Sequence, residues 1–441
     1  QIAIDNNGTP MSARGRISAD ESGWHVAIDA TTPEITAARV LEFWPRRVSP
    51  ITRGWVSRNL SEGVLTSTAL GLRFDGGEKP DLALSFNFQD GLVRFLEDMP
   101  RLKNASGRAV LDDHRFSLQL DTGEILAGTG DLIDASGSAF TVLDTRPKPS
   151  WGEIDVTAMG RLEAVLDVLN NRPLRLMERA GREVDIADAD VTGRAKITLP
   201  LKDGIEAEEV TYDVAARLTD VSSDVLVPDR VLTSPELSLR ATVDEIGVSG
   251  DAQLDGVPLT ANWRQPLGAD SANGGEISGR VTLSSDTVQA FDLPLPEGLI
   301  RGEGEAQYSL RLPADPEVPP DLSLSSDLYG VGMQVAGVGW SKRLEERGDL
   351  QLRARLAEVP EIEQLTLTTE GLTFEGALEL GEDGGLRQAR LQALELGDWL
   401  DADVEITPAP GGGAPVITIT GGTLDLRQLD LGEGGSSGSS T

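Results

Sequence analysis

The feature that most constrains this chain is a run of segments, from Leu82 onward, in which apolar and polar residues alternate with little apolar material left over to cover them. Leu82, Leu84, Phe86 and Phe88 alternate with Ala83, Ser85 and Asn87. Ile197, Leu199 and Leu201 alternate with Thr198 and Pro200, and Leu237, Leu239, Ala241 and Val243 with Ser238, Arg240 and Thr242. A period of two puts each set on one face of a β-strand. A sheet with one apolar face must bury it against something, yet the chain supplies few amphipathic helices and only 4% aromatic residues as filling. The missing partner is expected to be a phospholipid or another acyl lipid.

The same alternation marks Val210, Tyr212 and Val214, then Val281 and Leu283, then Leu310 and Leu312. It returns in Leu350 and Leu352, in Leu365 and Leu367, and at Phe374. With Leu82, Leu84, Phe86, Phe88, Ile197, Leu199, Leu201, Leu237 and Leu239, these are the candidate lining of a lipid groove. Turn signals such as Asn273-Gly274-Gly275 and Gly411-Gly412-Gly413 separate the strands. No helix is expected between Val184 and Leu431.

Two helical insertions interrupt the strands. In the first, residues 33–62, Thr32 is expected to cap a helix with Pro33 at its first position, and Ser49-Pro50 to repeat the device. Phe43, Trp44, Trp55 and Leu60 are costly to expose and are assigned to a cap over the groove. In the second, residues 159–181, Leu162, Val165, Leu166 and Leu169 form an i, i+3, i+4, i+7 stripe, and Pro173 is expected to start a further short helix that Gly181 ends. The fold expected is mainly β: a long, twisted, mostly antiparallel open sheet, groove-like or taco-like, with two short helical insertions. It occupies residues 1–431 as one elongated body, and 432–441, GEGGSSGSST, reads as a flexible linker or tail.

Charge and composition exclude several functions. Lys+Arg 39 against Asp+Glu 72 gives a net charge of −33, which repels a phosphate backbone, so no nucleic acid is expected as partner. The absence of Cys removes disulfides, thiolate metal sites and thiol nucleophiles together. A start at Gln1, in what already reads as a strand, is expected to be a cut through a longer protein.

Fixed chemistry is sparse. His25 and His114 are the two histidines, and Asp112-Asp113-His114 reads as a turn beside a strand rather than a metal cluster. The Gly434–Gly438 match to a nucleophile elbow falls in the tail, where no rigid strand-to-helix turn can form. Tyr329-Gly330-Val331-Gly332 lacks the following helix that would present its N-terminus to a pyrophosphate. Asp185, Asp188 and Asp190 lack the central Gly and terminal Glu of a calcium loop. No catalytic residue, metal or cofactor is therefore assigned, and no hydrolase or transferase activity is expected.

With the strands and insertions placed, the chain resembles the central domain of YhdP-like proteins, within the AsmA-like group to which TamB belongs. The likeness rests on Phe43-Trp44-Pro45, Arg53-Gly54-Trp55-Val56-Ser57-Arg58-Asn59-Leu60, Gly91-Leu92-Val93-Arg94-Phe95-Leu96 and Leu162 to Leu169. Gly63, Met99-Pro100, Gly107, Pro173-Leu174, Leu199-Pro200-Leu201 and Thr420-Gly421-Gly422-Thr423-Leu424-Asp425-Leu426-Arg427 complete it. The resemblance implies a Gram-negative envelope protein, anchored in the inner membrane by a helix outside this chain. Its periplasmic β-rich body would shelter acyl chains for phospholipid transport between the membranes. The alternative is a structural β-sandwich or β-solenoid spacer, or an adhesin-like passenger, whose apolar faces pack on each other without ligand.

Overall fold

The computed structural model describes residues 2–425, apart from 7, 8, 77–80, 97, 173, 203, 297, 316, 336–338, 383 and 410–414. The tail, the Gly411–Gly413 turn and Pro173 lie outside the described residues. The chain is mainly β, with antiparallel strands and short helices, and divides into two compact units between Ile246 and Gly247.

The first unit starts with β1 (Ile2–Asn6), β2 (Thr9–Asp20) and β3 (Gly23–Thr36), then α1 (Ala37–Phe43) and α2 (Pro50–Asn59). Strands β4 (Leu60–Asp75), β5 (Asp81–Val93), β6 (Leu102–Asp112), β7 (Arg115–Leu126), β8 (Leu132–Asp134), β9 (Ala139–Val142) and β10 (Ser150–Arg161) follow. After α3 (Leu162–Leu169) and α4 (Leu176–Arg179) come β11 (Asp188–Leu201), β12 (Thr211–Ser223) and β13 (Leu232–Thr242). Each strand from β1 to β7 pairs with the next, β8 and β9 bridge β7 to β10, and β10 to β13 continue in order, all antiparallel. No pairing among the described residues closes β13 back on β1, so the sheet is open.

The insertions are shorter than expected. Thr32 caps no helix: it stays in β3, with its hydroxyl donating to the carbonyls of Pro10 and Glu34 at 3.0 and 3.1 Å. The ladder with β4 runs on through Glu34↔Thr66 to Thr36↔Val64, and those backbone bonds outweigh one extra turn of helix. Ser49 precedes α2 in the left-handed region with φ 43°, and Pro50 takes the first helical position as expected, but the Ser49 side chain makes no capping bond to the helix. Strand β10 likewise extends through Met159 to Arg161 because its register with β11 continues to Arg161↔Asp190. The second short helix starts at Leu176, three residues beyond Pro173.

In the second unit the strands are β14 (Glu245–Leu254), inside which the division falls, then β15 (Val257–Pro266), β16 (Gly275–Leu283), β17 (Ile300–Gly302), β18 (Gly304–Leu312) and β19 (Asp321–Ser326). Next come β20 (Val331–Val335), β21 (Trp340–Lys342), β22 (Asp349–Arg355), β23 (Glu361–Thr369), β24 (Leu372–Leu380), β25 (Leu386–Leu396), β26 (Leu400–Thr407) and β27 (Val416–Leu424). The main sheet runs β15–β16–β18–β19–β22–β23–β24–β25–β26–β27, antiparallel throughout, while β17, β20 and β21 form a separate small sheet. A helix also interrupts this region, contrary to expectation: α5 (Ser285–Ala290) follows β16. Its signal was the cap Ser284, whose side chain accepts from the Thr287 amide at 3.3 Å.

Candidate functional site

Strand register turns the alternation into continuous apolar rows. In the first unit one row passes from Ala30 through Leu70, Leu84, Leu111, Phe116, Val142 and Gly152 to Leu199. Beside it runs Phe86, Ala109, Leu118, Phe140, Ile154, Ile197 and Tyr212. Val214 and Leu239 follow in the rows Val156–Ala195–Val214–Ala241 and Ala158–Gly193–Ala216–Leu239. Leu82 pairs with Leu72, Phe88 with Gly107, and Leu237 with Leu218. Val210 lies one residue before β12, and Leu201 ends β11 opposite Ser150.

The second unit has equivalent rows. Val281 pairs with Leu259 and Ala306, Leu310 with Ile277 and Leu322, and Leu312 with Gly275. Leu352 pairs with Leu324 and Leu365, while Leu350 pairs with Leu367, which pairs in turn with Phe374.

Most of these side chains are half-buried, neither sealed in a core nor fully wet. Leu237 and Leu367 are buried, whereas Leu201 is 37% exposed. Two glycines shape the face for aromatic rings. A Cβ at Gly107 would stand 2.8 Å from the tip of Phe88, and one at Gly152 would stand 2.8 Å from the Phe140 ring. Phe116 and Phe140 then meet edge-on with centroids 6.1 Å apart.

The reverse face is polar and cross-linked. Lys196 reaches Glu153 at 3.3 Å, Arg217 reaches Glu236 at 3.3 Å, and Arg280 reaches Glu305 at 3.3 Å. Two tyrosines on the apolar side have hydroxyls pushed above their ordinary range by desolvation, Tyr308 by that alone and Tyr212 with help from Asp244. The Tyr308 hydroxyl donates to the Thr260 carbonyl at 3.1 Å, so it adds no loose donor to the face.

Parts of the apolar faces are covered by the chain itself, which parity could not reveal. In the first unit α3 packs Ala164 and Val168 with Met99, Ala127 and Ile133. In the second, the small sheet brings Val331 and Trp340 onto Leu367, Leu372 and Leu396, with Leu283, Leu350 and Phe374 against the same cluster. Leu283, Leu350, Leu367 and Phe374 therefore line a core, while Leu352 and Leu310 stand outside that cluster.

The four proposed cap residues separate. Phe43, Trp44 and Leu60 are half-buried, but Trp55 is 42% exposed and α2 buries no side chain. The hairpin is tied by Arg53, which donates to the carbonyls of Trp44 at 3.2 Å and Leu41 at 2.9 Å.

The histidines and acidic groups are engaged separately. Asp113 and His114, at φ 44° and 60°, form the two-residue turn between β6 and β7. His25 lies between Asp75, 2.9 Å from Nδ1, and Asp20, 3.0 Å from Nε2. Asp188 and Asp190 both pair with Arg161, the latter at 3.2 Å, and so spend their charge on a guanidinium. Gly330 has φ 84° and leads into β20, a strand rather than a phosphate-binding helix.

A family model described as YhdP protein matches residues 1–430. The chain belongs to the YhdP family. No curated protein and no solved structure shows a significant match. YhdP membership carries the coarser part of the expectation, an AsmA-like envelope protein. Among the described residues no helix is long and apolar enough to cross a membrane.

Proposed function

We propose that this YhdP-family chain is a periplasmic lipid-binding segment whose half-exposed apolar faces shelter acyl chains during phospholipid transport between the inner and outer membranes. The observation that carries the reading is the unbroken row from Ala30 to Leu199, apolar at every strand it crosses. Removing one CH₂ from water is worth about 0.8 kcal/mol, so an acyl chain of about 14 carbons gains on the order of 10 kcal/mol from such a face. An aliphatic row without placed polar groups holds a chain without fixing it at one point, which suits movement along the sheet. Such a role uses no catalytic residue and no cofactor.

The test is native mass spectrometry of the chain after gentle extraction. A bound diacyl lipid is expected. Lipid-free protein that takes up no fluorescent acyl probe would overturn the reading in favour of a structural spacer.

A further inference from the structure

We propose that the helical hairpin of α1 and α2 is a docking surface for an anionic phospholipid bilayer. Residues 37–59 contain five arginines and one acidic residue, Glu42, in a chain of net charge −33. The chain as a whole carries 72 carboxylates to 39 bases, so five arginines to one carboxylate is a local reversal of its charge balance. Arg46, Arg47 and Arg58 are exposed and form no ion pair among the described residues. Arg53 holds the hairpin together, and Arg39 lies 6.0 Å over the Phe43 ring.

Apolar side chains stand among these charges. Ile51 is 78% exposed, Val48 45% and Trp55 42%. Residues 51, 55 and 58 follow one another at helical spacing, so Ile51, Trp55 and Arg58 share one face of α2. All three are exposed, whereas Val56, on another side of the helix, is half-buried. The Arg94 amide donates to the Asn59 carbonyl at 2.8 Å, and the next two side chains, Phe95 and Leu96, are 37% and 40% exposed.

This composition fits the headgroup layer of a bilayer. Arginines pair with phosphates, tryptophan settles at the interface and isoleucine enters the acyl boundary, all within one side-chain length. A protein interface centres on a packed apolar core depleted in charge, whereas here five arginines stand among a few separate exposed apolar side chains. The acidic remainder of the chain is repelled by the same surface, so the hairpin also sets which part of the molecule approaches it. Docking uses residues outside the apolar sheet rows, and vesicle binding can be measured independently of acyl-chain loading.

The experiment is flotation of the chain with vesicles of phosphatidylethanolamine containing one-third phosphatidylglycerol, and with phosphatidylcholine vesicles as control. Binding to the anionic vesicles alone is expected, weakening with salt. The triple variant Arg46→Ser, Arg47→Ser, Arg58→Ser, with an unchanged melting curve, should bind roughly a hundredfold more weakly. Because the chain has no Cys, Ile51→Cys carries a unique environment-sensitive dye whose emission should shift to the blue on the anionic vesicles, while a dye at Thr192→Cys should not shift. Failure to float, binding undiminished in the triple variant, or a dye at position 51 that stays in water on bound vesicles would each overturn the proposal. So would capture of an acidic protein without any affinity for the vesicles.

Discussion

The ammonium of Lys342 donates to the Leu328 carbonyl at 2.7 Å, which pins the last strand of the small sheet to the loop after β19. The same nitrogen donates to Val331 at 2.7 Å and to Arg343 at 3.2 Å, and the side chain is only 4% exposed. A buried cation is retained here because three carbonyls replace its water.

Lys342→Met should lower unfolding free energy by about 3 kcal/mol, since it orphans buried acceptors while nearly preserving volume. Burial holds the Lys342 ammonium below its ordinary value of 10.5. The unfolded chain therefore binds that proton more tightly, and this group's contribution to stability rises with pH between the depressed value and 10.5. Denaturant melts of both proteins across that range check both statements. A variant as stable as the parent would show that the carbonyls are satisfied without Lys342.

Two tryptophans should respond unequally to truncation. Trp340 is 8% exposed, and its indole donates to the Glu370 carbonyl at 2.9 Å. Trp340→Ala is expected to cost about 3–5 kcal/mol. Trp55, 42% exposed, should cost less than about 1 kcal/mol. Thermal unfolding of the two variants side by side separates them, and equal losses would mean that Trp55 closes over the sheet after all.

His25 is held above its ordinary value of 6.5, first by Asp75 and then by Asp20. Its contribution to stability is complete below 6.5 and is lost as pH rises through the raised value. Asp20 is held near 2, chiefly by the Ser22 hydroxyl and then by His25, so its contribution is present above 3.8 and is lost as pH falls through about 2. NMR titration should show the His25 pKa falling in Asp75→Asn. An unmoved midpoint would rule out the pairing.

Photo-crosslinkers at Leu199, Leu239 and Leu352 should capture acyl lipid, while those at Thr198, Arg240 and Arg353 should not. Leu367 shares the apolar parity of its sheet but is 4% exposed beneath the small sheet, and it should capture nothing. A carboxylate at Leu239 should block lipid loading, because it must be desolvated or take up a proton at a cost of several kcal/mol. Equal capture from both parities would mean that lipid coats the surface indiscriminately.

What was legible in the sequence was local and periodic. Alternation at Leu82–Phe88 and Ile197–Leu201 identified the apolar side of each strand, since consecutive side chains must point to opposite faces. Asp113-His114 read as a turn and became one, and Leu162–Leu169 read as a helix and became α3. Tertiary structure decided how far each element ran and what lay on top of it. Ladder bonds to β4 carried β3 past Thr32 and Pro33, a long-range gain with no trace in the local caps. Periodicity names the apolar face of Leu350, Leu367 and Phe374 but not its cover, which arrives from Val331 and Trp340 on other strands. It also could not tell that Trp55 turns outward, because burial depends on which residues the fold brings near, and a large aromatic carries the same cost of exposure until a neighbour removes it from water.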